Sequence, residues 1–214
     1  MAPSDVGMTS TGGREPRSPG PPWLREPIHL HFLCNTLHLL QGLVHRDPDR
    51  VERMLDELCE LLIHLLHSTR VPDVPLRDEL SALHAYASLQ KLRFQGRLEV
   101  DFDVDAAMLD RRLPGFLLYP LVENAVKFGL ETGPTPATVR VSASGGEPGG
   151  RLRLEVANTG AWVSRDTAER LGRGHGLALE NVRERLEELF PGQHRFTISE
   201  QSGWVRAVID LPAR

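Results

Sequence analysis

Two consecutive amphipathic segments near the N-terminal end constrain the fold of this 214-residue chain more than any other feature. Between Ile28 and about His45, apolar residues recur at every third or fourth position, and this period predicts a helix. Asp47 followed by Pro48 is a good helix start, and a second segment with the same period runs from there to about Thr69. The two segments therefore predict a helical hairpin.

The apolar stripe on each predicted helix is too wide for the other helix of the hairpin to cover. A second copy of the hairpin would cover both stripes, so the pattern predicts a homodimer held together by a four-helix bundle. Packing of the hairpin onto the rest of the same chain is the alternative.

The chain divides into three parts by composition. Residues 1–22 are rich in Gly, Pro, Ser and Thr and have almost no large apolar side chains, so we predict that they are disordered. We assign residues 23–75 to the hairpin, which ends at a linker containing two prolines, and residues 76–214 to a second domain.

The second domain alternates helical and strand-like patterns. A third helix is expected at Arg77–Phe94 and a fourth at Pro114–Gly129, and a strongly amphipathic helix follows Gly176. Strand patterns lie between these helices, and two more end the chain, joined by a turn at Gln201–Gly203. The order of elements predicts an α+β fold.

Composition excludes several classes of partner and location. The formal net charge is −4 with no long basic run, which argues against nucleic acid as a partner. The longest apolar runs are far shorter than the roughly 20 residues of a membrane span, and the N-terminal residues do not resemble a signal peptide. Cys34 and Cys59 lie within helical patterns, and we expect them to be buried, reduced thiols of a cytoplasmic protein.

The stretch "LVENAVKFG" brings metal-binding and phosphate-binding chemistry together on one predicted helix. Glu123 and Lys127 lie one turn apart on the same face, with Asn124 beside them. Carboxylate and amide oxygens suit a hard cation such as Mg²⁺, and a lysine one turn further suits a phosphate. A surface Glu–Lys pair is the alternative for this stretch taken alone.

Two later stretches carry nucleotide-binding features that are weak when taken singly. In "LEVANTGAW", Asn158 ends a predicted strand and Gly160 permits close approach of the backbone. In "GRGHGLALENVRERL", Gly174 and Gly176 precede a helix whose first N–H groups could bind phosphate. Either stretch alone is equally compatible with an ordinary turn or loop.

In this order, the stretches resemble the motifs of the GHKL (Bergerat) ATP-binding fold, an α/β sandwich found in histidine kinases, gyrase-like ATPases and Hsp90-like chaperones. "LPGFLLYPLVENAVKFGL" resembles the N-box, "VANTG" the G1 box and "GHGLALENVRERL" the G2 box. "IHLHFLCNTL" is similar to the phosphoacceptor motif of LytS-type sensor histidine kinases, and "LRDELSALHAYASLQKLRFQGRLEVDFDVD" to the link between their two domains. The resemblance extends over about Pro27–Leu211.

The resemblance implies an activity and a role for each matching residue. His31 would accept the γ-phosphoryl group of ATP, and Asn35 would orient it. Asn124 would hold Mg²⁺, and Glu123 would act as general base or support a metal-bound water. The phosphoryl group would then pass to an aspartate of a response regulator. The remaining residues that the resemblance places around ATP are Lys127, Asn158, Gly160, Gly174, Gly176, Asn181 and Arg185.

Several positions depart from the family pattern and keep two alternatives open. Asn158 replaces a frequent aspartate, and Trp162 and Ala178 replace frequent glycines, which favours a non-catalytic dimer that binds a partner. The second alternative is a sensor in which histidines of the hairpin bind a metal or haem. The histidines concerned are His31, His38 and His45 on the first helix and His64 and His67 on the second.

Overall fold

The computed structural model describes residues 30–68, 71, 73–145, 150–163 and 177–212. The segment 1–22, predicted to be disordered, and the predicted phosphate-loop residues Gly174 and Gly176 lie outside the described residues. The division of the ordered chain into residues 23–75 and 76–214 stays a prediction.

The predicted hairpin is present as helices α1 (Leu30–Leu43) and α2 (Pro48–Ser68). Helix α2 begins where the sequence indicated, because Pro48 needs no N–H partner and Asp47 Oδ1 accepts a hydrogen bond from Arg50 N at 3.1 Å.

The hairpin packs on one side against helix α3 (Leu76–Phe94). The face of α2 turned to α3 is apolar, and Ser88 Oγ on α3 donates to Glu57 Oε1 on α2 at 2.6 Å. Packing within the chain therefore covers part of the stripe on α2, while other large apolar side chains of the hairpin stay exposed. Those exposed side chains include Leu37, Val44, Leu55 and Ile63.

The rest of the chain has seven strands within the described residues, namely β1 (Val74–Pro75), β2 (Leu98–Val104), β3 (Arg112–Leu113), β4 (Ala137–Gly145), β5 (Arg151–Thr159), β6 (Arg195–Gln201) and β7 (Trp204–Pro212). Five of them form a mixed sheet in the order β2-β4-β5-β7-β6. Strand β2 is parallel to β4, and every other neighbouring pair is antiparallel. A separate short antiparallel pair, β1 and β3, lies at the start of α3.

One face of the sheet is apolar and carries helices α4 (Tyr119–Thr132) and α5 (Leu177–Leu189). Alternation along the strands places Val141, Val156 and Ala207 in one cross-strand row of this inner face. The predicted α+β class is confirmed, and so is the closing hairpin, because a two-residue turn, Ser202–Gly203, joins β6 to β7.

Two expectations were wrong in detail. Helix α4 begins at Tyr119 rather than Pro114, because Phe116 has a left-handed φ of 63° that interrupts any helix there. Cys34 and Cys59 are exposed, not buried, because each lies on the face of its helix turned away from α3. No helix among the described residues is long and apolar enough to cross a membrane.

Candidate nucleotide-binding site

A small cleft, partly open to solvent, lies at the end of the inner sheet face between α4 and α5. Its floor comes from β5, β6 and β7, one wall from α4 and the other from α5. Most of the lining is apolar, which suits a flat aromatic group better than a charged one. The lining residues are Leu121, Asn124, Ala125, Val156, Asn158, Trp162, Leu179, Ile198, Val205 and Ala207.

Helix α4 presents Asn124 to this cleft, one helical turn after Leu121. Glu123 and Lys127, the other two residues predicted on this helix, are half-buried and are not part of the lining. The Lys127 ammonium lies 5.1 Å from the centre of the Phe128 ring. The amide of Asn124 is therefore the α4 group from the predicted set that lines the cleft.

Asn158 is the polar residue on the floor of the cleft and is only 3% exposed. Its Nδ2 donates to Thr159 O at 3.0 Å, and this bond fixes the orientation of the side-chain amide. Gly129 of α4 lies directly over it, since a Cβ added to Gly129 would be 3.5 Å from the Asn158 Cβ. The helix and the strand therefore meet closely beside the only buried amide of the cleft floor within the described residues.

Gly160 forms the turn that leaves β5 and passes the end of α4. Its φ of 128° is one that residues with a side chain rarely adopt, and an added Cβ would collide with Thr132 Oγ1. The same Thr132 hydroxyl accepts a hydrogen bond from Ala161 N at 3.0 Å. The predicted G1 glycine is thus required by close approach of the backbone.

Trp162 follows this turn and lies at the mouth of the cleft with 40% of its surface exposed. Its backbone N–H donates to Glu200 Oε2 of β6 at 3.0 Å, which ties the turn to the far strand of the floor. An exposed indole beside an apolar cleft offers a stacking surface for a planar ligand.

The two residues predicted on α5 lie outside the cleft lining. Asn181 is half-buried, and Arg185 is 6% exposed. Burial lowers the pKa of the Arg185 guanidinium, and the negative charges of Glu79, Glu188 and Asp73 oppose this shift. Arg185 therefore lies close to acidic groups on the α3 side of the molecule.

On the hairpin, the structure places His31 within the first two turns of α1 and Asn35 one turn later, half-buried. The side chain of His31 lies outside the described residues, whereas its neighbour Phe32 is buried against the ring of Tyr86 on α3 at 5.2 Å. The backbone of the predicted phosphoacceptor is thus anchored to the helix that leads into the sheet domain.

Within the described residues, no group of three or more His, Cys, Asp or Glu side chains is arranged to hold a metal ion. His38, His45 and His67 are exposed, and His64 Nε2 lies 3.1 Å from Glu79 Oε2. The second alternative, a metal or haem site in the hairpin, therefore receives no support from the described part of the chain.

Comparison with known proteins identifies both halves of the chain. Residues 22–98 match the family model for histidine kinases, and residues 110–214 match the model for histidine kinase-, DNA gyrase B- and HSP90-like ATPases. The sensor protein LytS of Enterococcus faecalis (strain ATCC 700802 / V583) is 25% identical over 197 residues, which are 88% of this chain and 33% of that protein. The chain belongs to the LytS-type histidine kinases.

Other relatives of this LytS-type kinase carry similar names. Sensor histidine kinase BtsS of Escherichia coli (strain K12) and sensor histidine kinase YesM of Bacillus subtilis (strain 168) are each 30% identical over 193 residues, 89% of this chain. The histidine kinase domain of the Erythrobacter litoralis EL346 blue-light activated kinase aligns with 88% of this chain and 91% of its own, at 17% identity and a TM-score of 0.48. The chain spans about a third of the length of the curated relatives that it matches.

The match to the ATPase family confirms that the sheet and its helices form a GHKL domain of this kinase. The structure also draws attention to residues that sequence reasoning did not select, namely Glu79, Tyr86 and Tyr119. A signal for Glu79 was present, because this carboxylate interrupts the apolar stripe of α3 between Leu76 and Leu83. Nothing in the local sequence distinguishes the two tyrosines from ordinary core residues.

Proposed function

We propose that this LytS-type kinase transfers the γ-phosphoryl group of ATP to His31 and then passes it to an aspartate of a response regulator. The observation that carries the proposal is the cleft itself. Asn124 and Asn158 come from separate motifs of the sequence, and both line one apolar cleft of a GHKL domain. That arrangement fits a nucleotide, with a planar base against the apolar walls and the polar part near α4.

In this proposal, Asn124, Asn158 and Trp162 contact different parts of ATP. Asn158, held by Thr159 O, presents its amide to the edge of the adenine, and Trp162 covers the base at the mouth of the cleft. Lys127 and the loop that contains Gly174 and Gly176 would contact the phosphates, with Asn181 and Arg185 supporting that loop. The apolar walls keep water from the base.

Asn124 also fits Mg²⁺, because an amide oxygen is a hard donor of the kind this ion binds and Asn124 lines the cleft. Asn124 would bind the ion directly, and Glu123 would lie beside it. When bound, Mg²⁺ supplies positive charge that offsets the negative charge of the phosphates during transfer.

Chemistry at the hairpin would be an in-line displacement. An imidazole nitrogen of His31 forms a bond to the γ-phosphorus as the bond from that phosphorus to the bridging oxygen of ADP breaks. Glu123 accepts the imidazole proton, and Asn35 holds the ring in position. In the second reaction, the phosphoryl group moves from His31 to the carboxylate of the response regulator.

Labelling with γ-³²P-ATP and Mg²⁺ tests the proposal. We expect label that is lost in acid and stable in base, as a phosphoramidate requires, and that is absent from His31→Gln. His38→Gln is the matched control, because His38 lies on the same helix and is exposed. Label that persists in His31→Gln would rule out His31 as the acceptor. ATP binding by calorimetry without any label would instead support the non-catalytic alternative and contradict the proposal.

A further inference from the structure

A buried carboxylate on α3 lies where three parts of the molecule meet. Glu79 is 1% exposed. Its Oε2 accepts a hydrogen bond from Phe116 N at 2.6 Å, its Oε1 accepts one from Leu118 N at 2.9 Å, and His64 Nε2 of α2 lies 3.1 Å from Oε2. Two of these donors belong to the segment just before α4, and the third belongs to the hairpin.

This set of partners explains how a carboxylate is tolerated in the core. A buried carboxylate is costly unless hydrogen bonds replace the water that it has lost, and backbone N–H groups are suitable donors. An ionised carboxylate only accepts hydrogen bonds, so a hydrogen bond to it from His64 requires the tautomer that carries a proton on Nε2. Positive charge also acts on this site, since the negative charge of Glu79 is the largest of those that raise the pKa of the buried Arg185 guanidinium of α5.

The two backbone hydrogen bonds hold the segment Pro114–Leu118 in a conformation that it would not adopt alone. Phe116 has a φ of 63°, which costs energy for a residue with a side chain, and its ring stacks on Tyr119 at 4.5 Å. Leu118 O accepts hydrogen bonds from Leu121 N and Val122 N and so begins α4. Glu79 therefore holds the backbone from which α4 starts.

The position of this helix start matters for the cleft. Leu121 and Asn124, which line it, lie within the first two turns of α4. A shift of the segment before α4 would carry both residues with it, because a short helix moves as a rigid element.

Both hairpin helices make contact with this helix start. Helix α2 reaches it through His64 and Glu79. Helix α1 reaches it through aromatic rings, since Phe32 packs on Tyr86 and the Tyr86 ring lies 5.0 Å from that of Tyr119. The contact through Glu79 differs from the aromatic contact because it consists of directional hydrogen bonds to a carboxylate. Loss of one hydrogen-bond donor therefore weakens it strongly.

We propose that Glu79 is a positioning residue for the nucleotide site and that His64 is the contact through which helix α2 controls it. The proposal rests on the proposed function only in that the cleft binds a nucleotide. A change in the hairpin that moves His64 would release the segment Pro114–Leu118 and lower the affinity of the cleft for ATP.

The test uses the full chain with His64 changed in two ways. His64→Leu removes the donor and keeps apolar volume, while His64→Gln keeps an N–H near the position of Nε2. His67→Leu is the matched control, because His67 is exposed on the same helix. The measurements are hydrogen exchange of the Phe116 and Leu118 amides and the affinity for a non-hydrolysable ATP analogue by calorimetry.

We expect the two amides to exchange about tenfold faster in His64→Leu, the size of effect expected when one charge-assisted hydrogen bond is lost. Analogue affinity should fall at least several-fold in the same variant, and His64→Gln should restore both values. Unchanged exchange in His64→Leu, or unchanged affinity with only a lower melting temperature, would overturn the proposal. If amide exchange and analogue affinity change as expected in His64→Leu but the protein shows no labelling of His31, the result supports this proposal and refutes the kinase activity.

Discussion

At the scale of single residues, two buried tyrosine hydroxyls differ in one respect. Tyr86 OH accepts a hydrogen bond from Gln90 Nε2 at 2.8 Å, whereas Tyr119 OH is buried with no hydrogen-bond partner among the described residues. The rings pack edge to face, so the environments are otherwise similar. A buried hydroxyl without a partner has lost its hydrogen bonds to water and gained nothing in return.

Removing the hydroxyl of Tyr119 and removing that of Tyr86 should therefore affect the free energy of unfolding differently. We expect Tyr119→Phe to leave the free energy of unfolding unchanged or to raise it by up to about 1 kcal/mol. Tyr86→Phe should lower it by about 1–2 kcal/mol, because Gln90 Nε2 loses its acceptor. Urea denaturation of the two variants and the wild type measures both values. Equal losses in the two variants would mean that Tyr119 OH does have a partner.

The same tyrosines predict how stability changes in alkaline solution. Burial raises the pKa of both hydroxyls well above the ordinary value, and the charge of Glu123 adds to the shift. Below about pH 10 both the folded and the unfolded chain keep the protons, so stability is unaffected. Above it only the unfolded chain loses them, and each tyrosine then lowers the free energy of unfolding by about 1.4 kcal/mol per pH unit. Each Phe variant should reduce that slope by one tyrosine's share.

At the scale of elements, alternation of apolar residues predicted the strands, and helical periodicity predicted the helices. Both patterns are informative because each kind of element buries one face, and that burial sets the spacing of its apolar residues. Helix α4 shows the limit of that reasoning. The apolar run through Pro114 continues the helical pattern, but the N–H groups of Phe116 and Leu118 bond to Glu79 in α3, far away in sequence. Local periodicity contains no information about such a partner. Exposure of Cys34 was missed for a related reason, since apolar residue types alone do not say which side of a helix a neighbour will cover.

The cleft shows the same division between local and distant causes. The motifs around Asn124 and Asn158 predicted two of the residues that line it, since side-chain chemistry and spacing are local properties. Trp162 was noted only as a replaced glycine, and its place at the mouth depends on Glu200 of a distant strand. The effect of the Glu79 charge on Arg185 likewise involves two residues that are far apart in the sequence.

The end of α4 and the end of β5 meet so closely that one glycine decides whether they fit. In Gly160→Ala the new Cβ would collide with Thr132 Oγ1, lie 3.0 Å from Gly133 N and require an alanine at a φ of 128°. We expect a loss of about 2–4 kcal/mol in the free energy of unfolding and weaker nucleotide binding, because the turn beside Asn158 must move. Denaturation and calorimetry measure the two effects.

Gly192→Ala is the matched control for this substitution. Gly192 also has a positive φ, 66°, but an added Cβ there would meet nothing within 4 Å. Its loss should be about 1 kcal/mol, which is the cost of the backbone conformation alone, with nucleotide affinity unchanged. Similar losses at the two positions would show that close approach at Gly160 is unimportant.

At the scale of the whole molecule, the hairpin presents apolar side chains that the rest of the chain leaves exposed. Ile63 is 67% exposed and Leu55, two turns earlier on the same face of α2, is 43% exposed. Leu37 on α1 and Val44, just after the end of α1, are exposed as well. Contiguous apolar surface of this kind on a helical hairpin is the expected property of a subunit of a four-helix bundle.

Charging this face should separate the predicted dimer without unfolding the subunit. We expect the double variant Leu55→Glu, Ile63→Glu to be a monomer by light scattering at concentrations where the wild type is a dimer. Burying a carboxylate without a partner costs more than the apolar contact provides, which explains the expected dissociation. Because both side chains face solvent in the single chain, the substitutions should leave the separated subunit folded. Because a monomer unfolds without dissociating, its melting temperature should not depend on protein concentration. Ser199→Glu, Gln201→Glu adds the same charge on exposed positions of β6 and should stay dimeric. A double variant of α2 that remains a dimer would place the interface elsewhere, and a monomeric wild type would contradict the bundle altogether.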